Sequence, residues 1–261
     1  MMNKVWDQLN EEARKIGLEE ALLSDYVTKC ILEHNSFESA LSFILANKLS
    51  DNVMSQTTLK TLFSEIFDSS PLIIQSSIAD IQAVFDRDPA ICTFLSVILH
   101  LKGYQSIQVH RLANFLWKNN RQELALFIQS RNSEVFSVDI HPACEMGNGI
   151  MFDHATGIVI GETTVIEDNV SILQQVTLGG TGNEQGNRHP KIRSGVLISA
   201  GARVLGNIEV GEGAKVGAGS VVLNNVPPHT TVVGVPARNV GTPASDAPAE
   251  TMQQNVFEDE S

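Results

Sequence analysis

Two clusters in the second half of the chain combine residue types suited to proton transfer and anion binding. The first is Asp153-His154-Ala155-Thr156-Gly157, where an imidazole stands beside a carboxylate. Histidine is the side chain whose ordinary pKa suits general acid–base work near neutral pH. Asp139 lies fifteen residues upstream, and a carboxylate bonded to one ring nitrogen fixes the tautomer and raises the basicity of the other. The second cluster, Arg188-His189, closes a glycine-rich segment that runs from Gly179 to Pro190. A guanidinium beside an imidazole on a loop suits anion binding and proton transfer. A Walker-type phosphate loop is excluded, because Gly-Lys-Ser/Thr does not occur. Asp88, before Pro89, reads as a helix cap, as does Ser70 before Pro71. His141 and His229, each beside a proline, read as turn residues, and Lys215 as either a solvated face residue or a contact for an anionic ligand.

What must position these groups is a repeat of six. Aliphatic residues recur at Ile140, Met146, Phe152 and Ile158, then at Ile160, Ile166, Ile172 and Leu178, then from Ile192 through Ile198, Val204, Val210 and Val216 to Val222. Hexapeptide periodicity of this kind marks a parallel β-helix, each repeat one flat face and three faces closing a triangular coil. His154 stands in the repeat whose count slips directly afterwards, and the eighteen-residue coil predicts that Asp139 and His154 stack on neighbouring coils. From Leu178 to Ile192 is fourteen residues, so the segment between them must leave the prism as a loop. Residues 140–226 make about five coils, a stack only about 24 Å tall. Such a stack needs caps: the preceding half can supply one, and Val226-Pro227-Pro228 is expected to stop the ladder at the other end.

The preceding half reads as helical. It holds both Trp, both Tyr and nine of the eleven Phe, whereas seventeen of the nineteen Gly lie from Gly147 to Gly241. Leu41, Ile44, Leu45 and Leu49 keep helical spacing, as do Ile78, Ile81 and Phe85, and six to eight helices are expected, with a break near Asn119-Asn120. The fold class is therefore α+β: an all-α domain over 1–138, a parallel β-helix of hexapeptide repeats over 139–240 with an extruded loop at about 179–191, and a flexible, acidic, Pro/Ala-rich tail over 241–261. A net charge of −12 argues against nucleic acid or an anionic membrane as partner. No apolar run reaches the roughly 18 residues of a membrane span, and the start lacks the pattern of a signal peptide, which points to the cytoplasm. Cys30, Cys92 and Cys144 have no metal-ligand spacing and read as reduced thiols; no metal is expected.

The runs Asp139-Ile-His-Pro-Ala, Gly149-Ile-Met-Phe-Asp-His-Ala-Thr-Gly157, Val176-Thr-Leu-Gly-Gly-Thr-Gly182, Arg188-His-Pro-Lys191 and Gly234-Val-Pro-Ala-Arg238 resemble those of the bacterial serine acetyltransferases. The likeness extends upstream through Asp80-Ile-Gln-Ala-Val84 and Arg87-Asp-Pro-Ala90 and covers the chain up to Gly241. The resemblance implies a left-handed prism, a homotrimer through the prisms, and a hexamer formed by two trimers meeting through their helical domains. It implies acetyl transfer from acetyl-CoA to the hydroxyl of L-serine for cysteine synthesis, with L-cysteine as feedback inhibitor. By motif position, His154 is the general base and Asp139 its orienting partner. Asp88 and Asp153 hold the serine ammonium, Arg188 holds its carboxylate, and His189 completes the pocket across a subunit boundary. Gly180, Thr181, Ala200, Lys215 and Ala218 line the pantetheine arm of the coenzyme. Many members end in isoleucine, which binds O-acetylserine sulfhydrylase, whereas this sequence ends in Ser261, which places that partnership in doubt. The rival readings are another hexapeptide acyltransferase with a sugar or xenobiotic acceptor, a zinc enzyme on the same prism, and a non-catalytic scaffold.

Overall fold

The computed structural model describes residues 2–182 and 185–256. Eight helices come first: α1 (Met2–Glu19), α2 (Ala21–Val27, continued by a π-helical turn at Thr28–Leu32), α3 (Phe37–Leu49), α4 (Gln56–Ser69), α5 (Pro71–Arg87), α6 (Phe94–His100), α7 (Lys102–Lys118) and α8 (Gln122–Phe136). Side-chain caps set several starts: Ser36 accepts from Ser39 N–H (3.3 Å), Ser55 from Thr58 N–H (3.2 Å) and Thr93 from Ser96 N–H (3.1 Å). Two expected caps differ. Ser70 stands before Pro71 but makes no side-chain cap bond. Asp88 does not start a helix but ends α5, because a residue before proline is driven to extended backbone. Its Oδ1 accepts from Ala90 N–H (2.9 Å) in a tight turn, and α6 begins only at Phe94.

Short parallel strands then form three faces. The first face stacks β1 (Val138–Ile140), β4 (Ile158–Ile160), β7 (Thr177–Gly179), β10 (Arg203–Leu205) and β13 (Val221–Val222). The second stacks β2 (Glu145–Met146), β5 (Val165–Ile166), β8 (Lys191–Ile192) and β11 (Glu209–Val210). The third stacks β3 (Met151–Asp153), β6 (Ser171–Leu173), β9 (Leu197–Ile198), β12 (Lys215–Val216) and β14 (Thr231–Gly234), with β15 (Ala237–Gly241) added antiparallel at its edge. Nearly every aliphatic mark of the repeat is buried inside the prism, from Ile140 to Val222; Met146 alone is only partly so. The proline pair ends the second face after an isolated Val210–Val226 bridge, yet the third face continues beyond it through β14 and β15. Proline blocks a ladder only where its own N–H is needed.

The helices cap the open edge of the first coil, whose carbonyls have no strand below them. Arg111 donates to the Gly147 carbonyl (2.7 Å), Asn114 to those of Pro142 (2.9 Å) and Cys144 (3.1 Å), and Arg87 to that of Gly149 (2.9 Å). Asp80, fully buried, receives two bonds from Arg111 (3.1 and 2.7 Å), one from Gln108 (3.0 Å) and one from Ile150 N–H (2.9 Å). The segment expected to trail away instead crosses the third face. Its short helix α9 (Pro248–Thr251) buries Pro248 and Ala249, and the Ala249 carbonyl accepts from Ser171 Oγ (2.8 Å). Small apolar residues in an acidic stretch thus find a groove, and their backbone groups find donors. Ser261 lies outside the described residues.

Candidate active site

The three edges of the prism decide which residues can meet. The first coil is longer than the rest: Ile140 pairs with Ile160 and Phe152 with Ile172, twenty residues apart, against eighteen from Ile160 to Leu178. The two extra residues fall on the edge between β3 and β4, at the Asp153–Gly157 cluster. There His154 (φ 54°) and Ala155 (φ 62°) both take left-handed backbone, followed by Gly157 (φ 77°). Left-handed backbone costs a non-glycine residue about 1–2 kcal/mol, so neighbours must hold the turn. Gly157 N–H donates to the Ser137 carbonyl (2.8 Å), Gln175 N–H to that of Thr156 (2.8 Å) and Lys102 Nζ to Thr156 Oγ1 (2.5 Å), while the Ala155 methyl is buried. The result projects the His154 side chain outward, 74% exposed, with Nε2 3.8 Å from Asp153 Oδ1.

His154 rims a cleft of about 390 Å³ between the α5–α6 turn, the start of α7 and the end of β3; Asp88 and Asp153 line it beside apolar Ile91 and Phe152. Burial raises the Asp153 pKa above the ordinary carboxylate range, and the Asp88 charge raises it further, opposed by His154. Two carboxylates facing one small cleft suit a cation such as an ammonium. The spacing-based pairing of Asp139 with His154 is not formed. Asp139 Oδ1 accepts from Gln129 Nε2 (2.7 Å), and among the described residues no hydrogen bond joins it to the imidazole. Fifteen residues is short of a full coil: one coil back from His154 falls within α8, and Asp139 pairs in register with Val159, on the first face.

Arg188 and His189 occupy a different edge, between the first and second faces. The extruded loop inserts eight residues there, since Leu178 and Val204 are twenty-six apart in register. Thr163, in the coil below, organises the pair. Its Oγ1 accepts from Arg188 N–H (3.0 Å) and His189 N–H (3.1 Å), and its N–H donates to His189 Nδ1 (3.1 Å). A neutral His189 accepting at Nδ1 carries its proton on Nε2. The ring lies against Gly161, where a Cβ would come within 2.1 Å of Nε2. Burial, then the Arg188 charge, lowers the His189 pKa. The Arg188 guanidinium pairs with Glu162 (2.6 Å), whose pKa is lowered chiefly by that bond. Neither Thr163 nor Glu162 was singled out in the sequence; their one signal is that they occupy the corner of the repeat directly beneath the excursion.

The remaining positions divide between the same two edges. Gly201 N–H bonds the Gln174 carbonyl (2.9 Å) and Gly219 N–H that of Ala200 (2.8 Å), so Gln174, Ala200 and Ala218 rise in a column above His154. Gly180 lies beside Arg188 and Thr181 beside Gly206, on the other edge. Lys215 belongs to neither. It sits on the third face, 2% exposed, and its ammonium donates to the Asn255 carbonyl, so the C-terminal segment covers it rather than solvent. Among the described residues no three His, Cys, Asp or Glu are grouped to hold a metal, and no helix is long and apolar enough to cross a membrane.

Comparison with known proteins matches residues 5–109 to the model for "Serine acetyltransferase, N-terminal" and residues 189–224 to that for bacterial transferase hexapeptide repeats. The serine acetyltransferase of Salmonella typhimurium is 53% identical over 251 residues, 96% of this chain and 92% of the relative. A solved serine acetyltransferase in complex with cysteine superposes with a TM-score of 0.96 at 50% identity, covering 98% of this chain and 100% of that one. The Brucella abortus serine acetyltransferase in complex with coenzyme A gives 0.90 at 47% identity, covering 92% and 96%. By identity, coverage and fold, this chain belongs to the serine acetyltransferase family.

Proposed function

We propose that the chain transfers acetyl from acetyl-CoA to the hydroxyl of L-serine, giving O-acetyl-L-serine and CoA, and that L-cysteine inhibits it by occupying the serine site. The observation that carries this reading is His154, set on a rigid corner over a cleft shared by two carboxylates. A serine hydroxyl is a poor nucleophile at neutral pH and needs a base within hydrogen-bond reach. His154 takes that proton as the oxygen attacks the thioester carbon, and the resulting imidazolium returns it to the leaving thiolate. Asp88 and Asp153 hold the ammonium. Arg188 leaves Glu162 for the substrate carboxylate, and His189 donates from Nε2. Asp139 is the orienting partner in this reading, which requires its carboxylate to turn from Gln129 to the imidazole. The small residues Ala200 and Ala218 leave a groove above His154 for the pantetheine arm, with Gly180 and Thr181 on the facing side; Lys215, buried on the third face, would reach the coenzyme only after the C-terminal segment leaves it.

Because the two groups lie on different edges of one prism, the reading includes a trimer through the prisms; the family resemblance adds its pairing into a hexamer through the helical domains, and the sequence a place in the cytoplasm. The domain limits remain those of the sequence: 1–138, 139–240 with the loop at 179–191, and 241–261. Thiol release from acetyl-CoA, followed with L-serine and with sugar acceptors, in the presence and absence of L-cysteine, tests the assignment. Serine-dependent turnover suppressed by cysteine is expected; turnover only with a sugar acceptor would overturn it.

A further inference from the structure

Lys102 occupies a place that helix physics disfavours. It is the first residue of α7, where the helix dipole repels a cation, and Leu101 at the N-cap offers no side-chain bond. Its side chain instead crosses from the helical domain to the prism, and Nζ donates to Thr156 Oγ1 (2.5 Å), fifty-four residues away in sequence. Thr156 follows the two left-handed residues that carry the imidazole outward. Its carbonyl is already taken by Gln175 N–H (2.8 Å), so the residue is gripped from the coil above and from the helical domain. Lys102 is also the only lysine or arginine among the described residues lining the cleft of Asp88, Asp153 and His154.

We propose that Lys102, through Thr156, is a positioning residue that locks the His154 turn and so sets the aim of the base. This rests on His154 acting as the base. The lock explains why a cation stands at a helix start: it adds a side-chain bond from the helical domain to a turn that otherwise receives the Ser137 carbonyl from below. A small misplacement of a reacting group lowers the chemical step more than substrate binding.

The test uses the intact oligomer with Lys102→Met, Thr156→Val, the pair together, and Lys102→Arg, read by steady-state kinetics in both substrates. Amide hydrogen exchange of the 153–158 segment provides a readout independent of activity. Each single variant is expected to lower kcat about tenfold with both KM values within about twofold. The double variant should lose no more than either single, Lys102→Arg should recover most of the rate, and exchange in 153–158 should quicken. A raised KM for serine or acetyl-CoA with kcat intact would make Lys102 a substrate-binding group and overturn the proposal. Additive losses, or unchanged exchange in Lys102→Met, would overturn it too. His154→Ala measured alongside keeps the two ideas apart: full turnover there removes the base assignment, while the exchange data still decide the lock.

Discussion

An outward histidine at a β-helix corner is ordinarily a solvated side chain, and here the backbone beneath it argues otherwise. Two consecutive left-handed residues are an expense that an eighteen-residue coil would avoid, and they place the imidazole beside two carboxylates. Replacing His154 with Ala should therefore lower kcat by about 10²–10⁴-fold, with the circular dichroism spectrum and oligomer size unchanged. A folded variant turning over at the wild-type rate would remove His154 from the chemistry. Asp153 carries a second consequence. Its folded-state pKa lies above the ordinary carboxylate value, so the folded chain binds more protons than the unfolded one between those two values. Stability then falls as pH rises through the folded pKa. Asp153→Asn should melt higher than the wild type at neutral pH, and the gap should close in acid, where both side chains are neutral. Its serine KM should rise. A melting temperature at or below wild type at neutral pH would show that Asp153 gains more from its neighbours than burial costs it.

At the level of elements, the junction between helices and prism rests on a buried charge pair. Asp80 and Arg111 are both nearly inaccessible, and Arg111 also holds the Gly147 carbonyl at the open edge of the first coil. Removing the carboxylate leaves a guanidinium buried without a counter-charge, which costs about 3–5 kcal/mol. Urea unfolding of Asp80→Ala should show a loss of that size; a loss below about 1 kcal/mol would place the pair among weak surface bridges. Nothing in the sequence signalled this network, because its members stand thirty-one residues apart with no period linking them. What the sequence did carry was periodic. The marks from Ile158 to Val222 all face the core, the slip at Ile158–Ile160 coincides with the widened corner, and the count from Leu178 to Ile192 measures the eight-residue excursion. Asp139 shows where period alone misleads. Fifteen residues falls short of a coil, so Asp139 stands in register with Val159, and Gln129 takes the carboxylate. The C-terminal segment shows the same limit for composition, since an acidic Pro/Ala stretch can still dock two small residues and cover Lys215.

For the whole molecule, the division of the site between two prism edges has a consequence that a single chain cannot satisfy. Asp88, Asp153, His154, Ala200 and Ala218 share one edge, whereas Gly180, Thr181, Arg188 and His189 share another, with the first face between them. A small substrate cannot touch both edges of one prism, but in the trimer proposed above one edge of each copy would meet a different edge of the next. On that proposal each site would take His154 from one protomer and Arg188 from its neighbour. His154→Ala and Arg188→Ala preparations should each be close to inactive, yet hybrids made by joint refolding or coexpression should recover activity. Random assortment restores roughly a quarter of the interfaces, those where an intact His154 meets an intact Arg188. Activity of mixed oligomers isolated by two affinity tags measures this directly. Hybrids no more active than the sum of their parents would place each site within one prism, and Arg188 would then have to act somewhere other than on the substrate of His154.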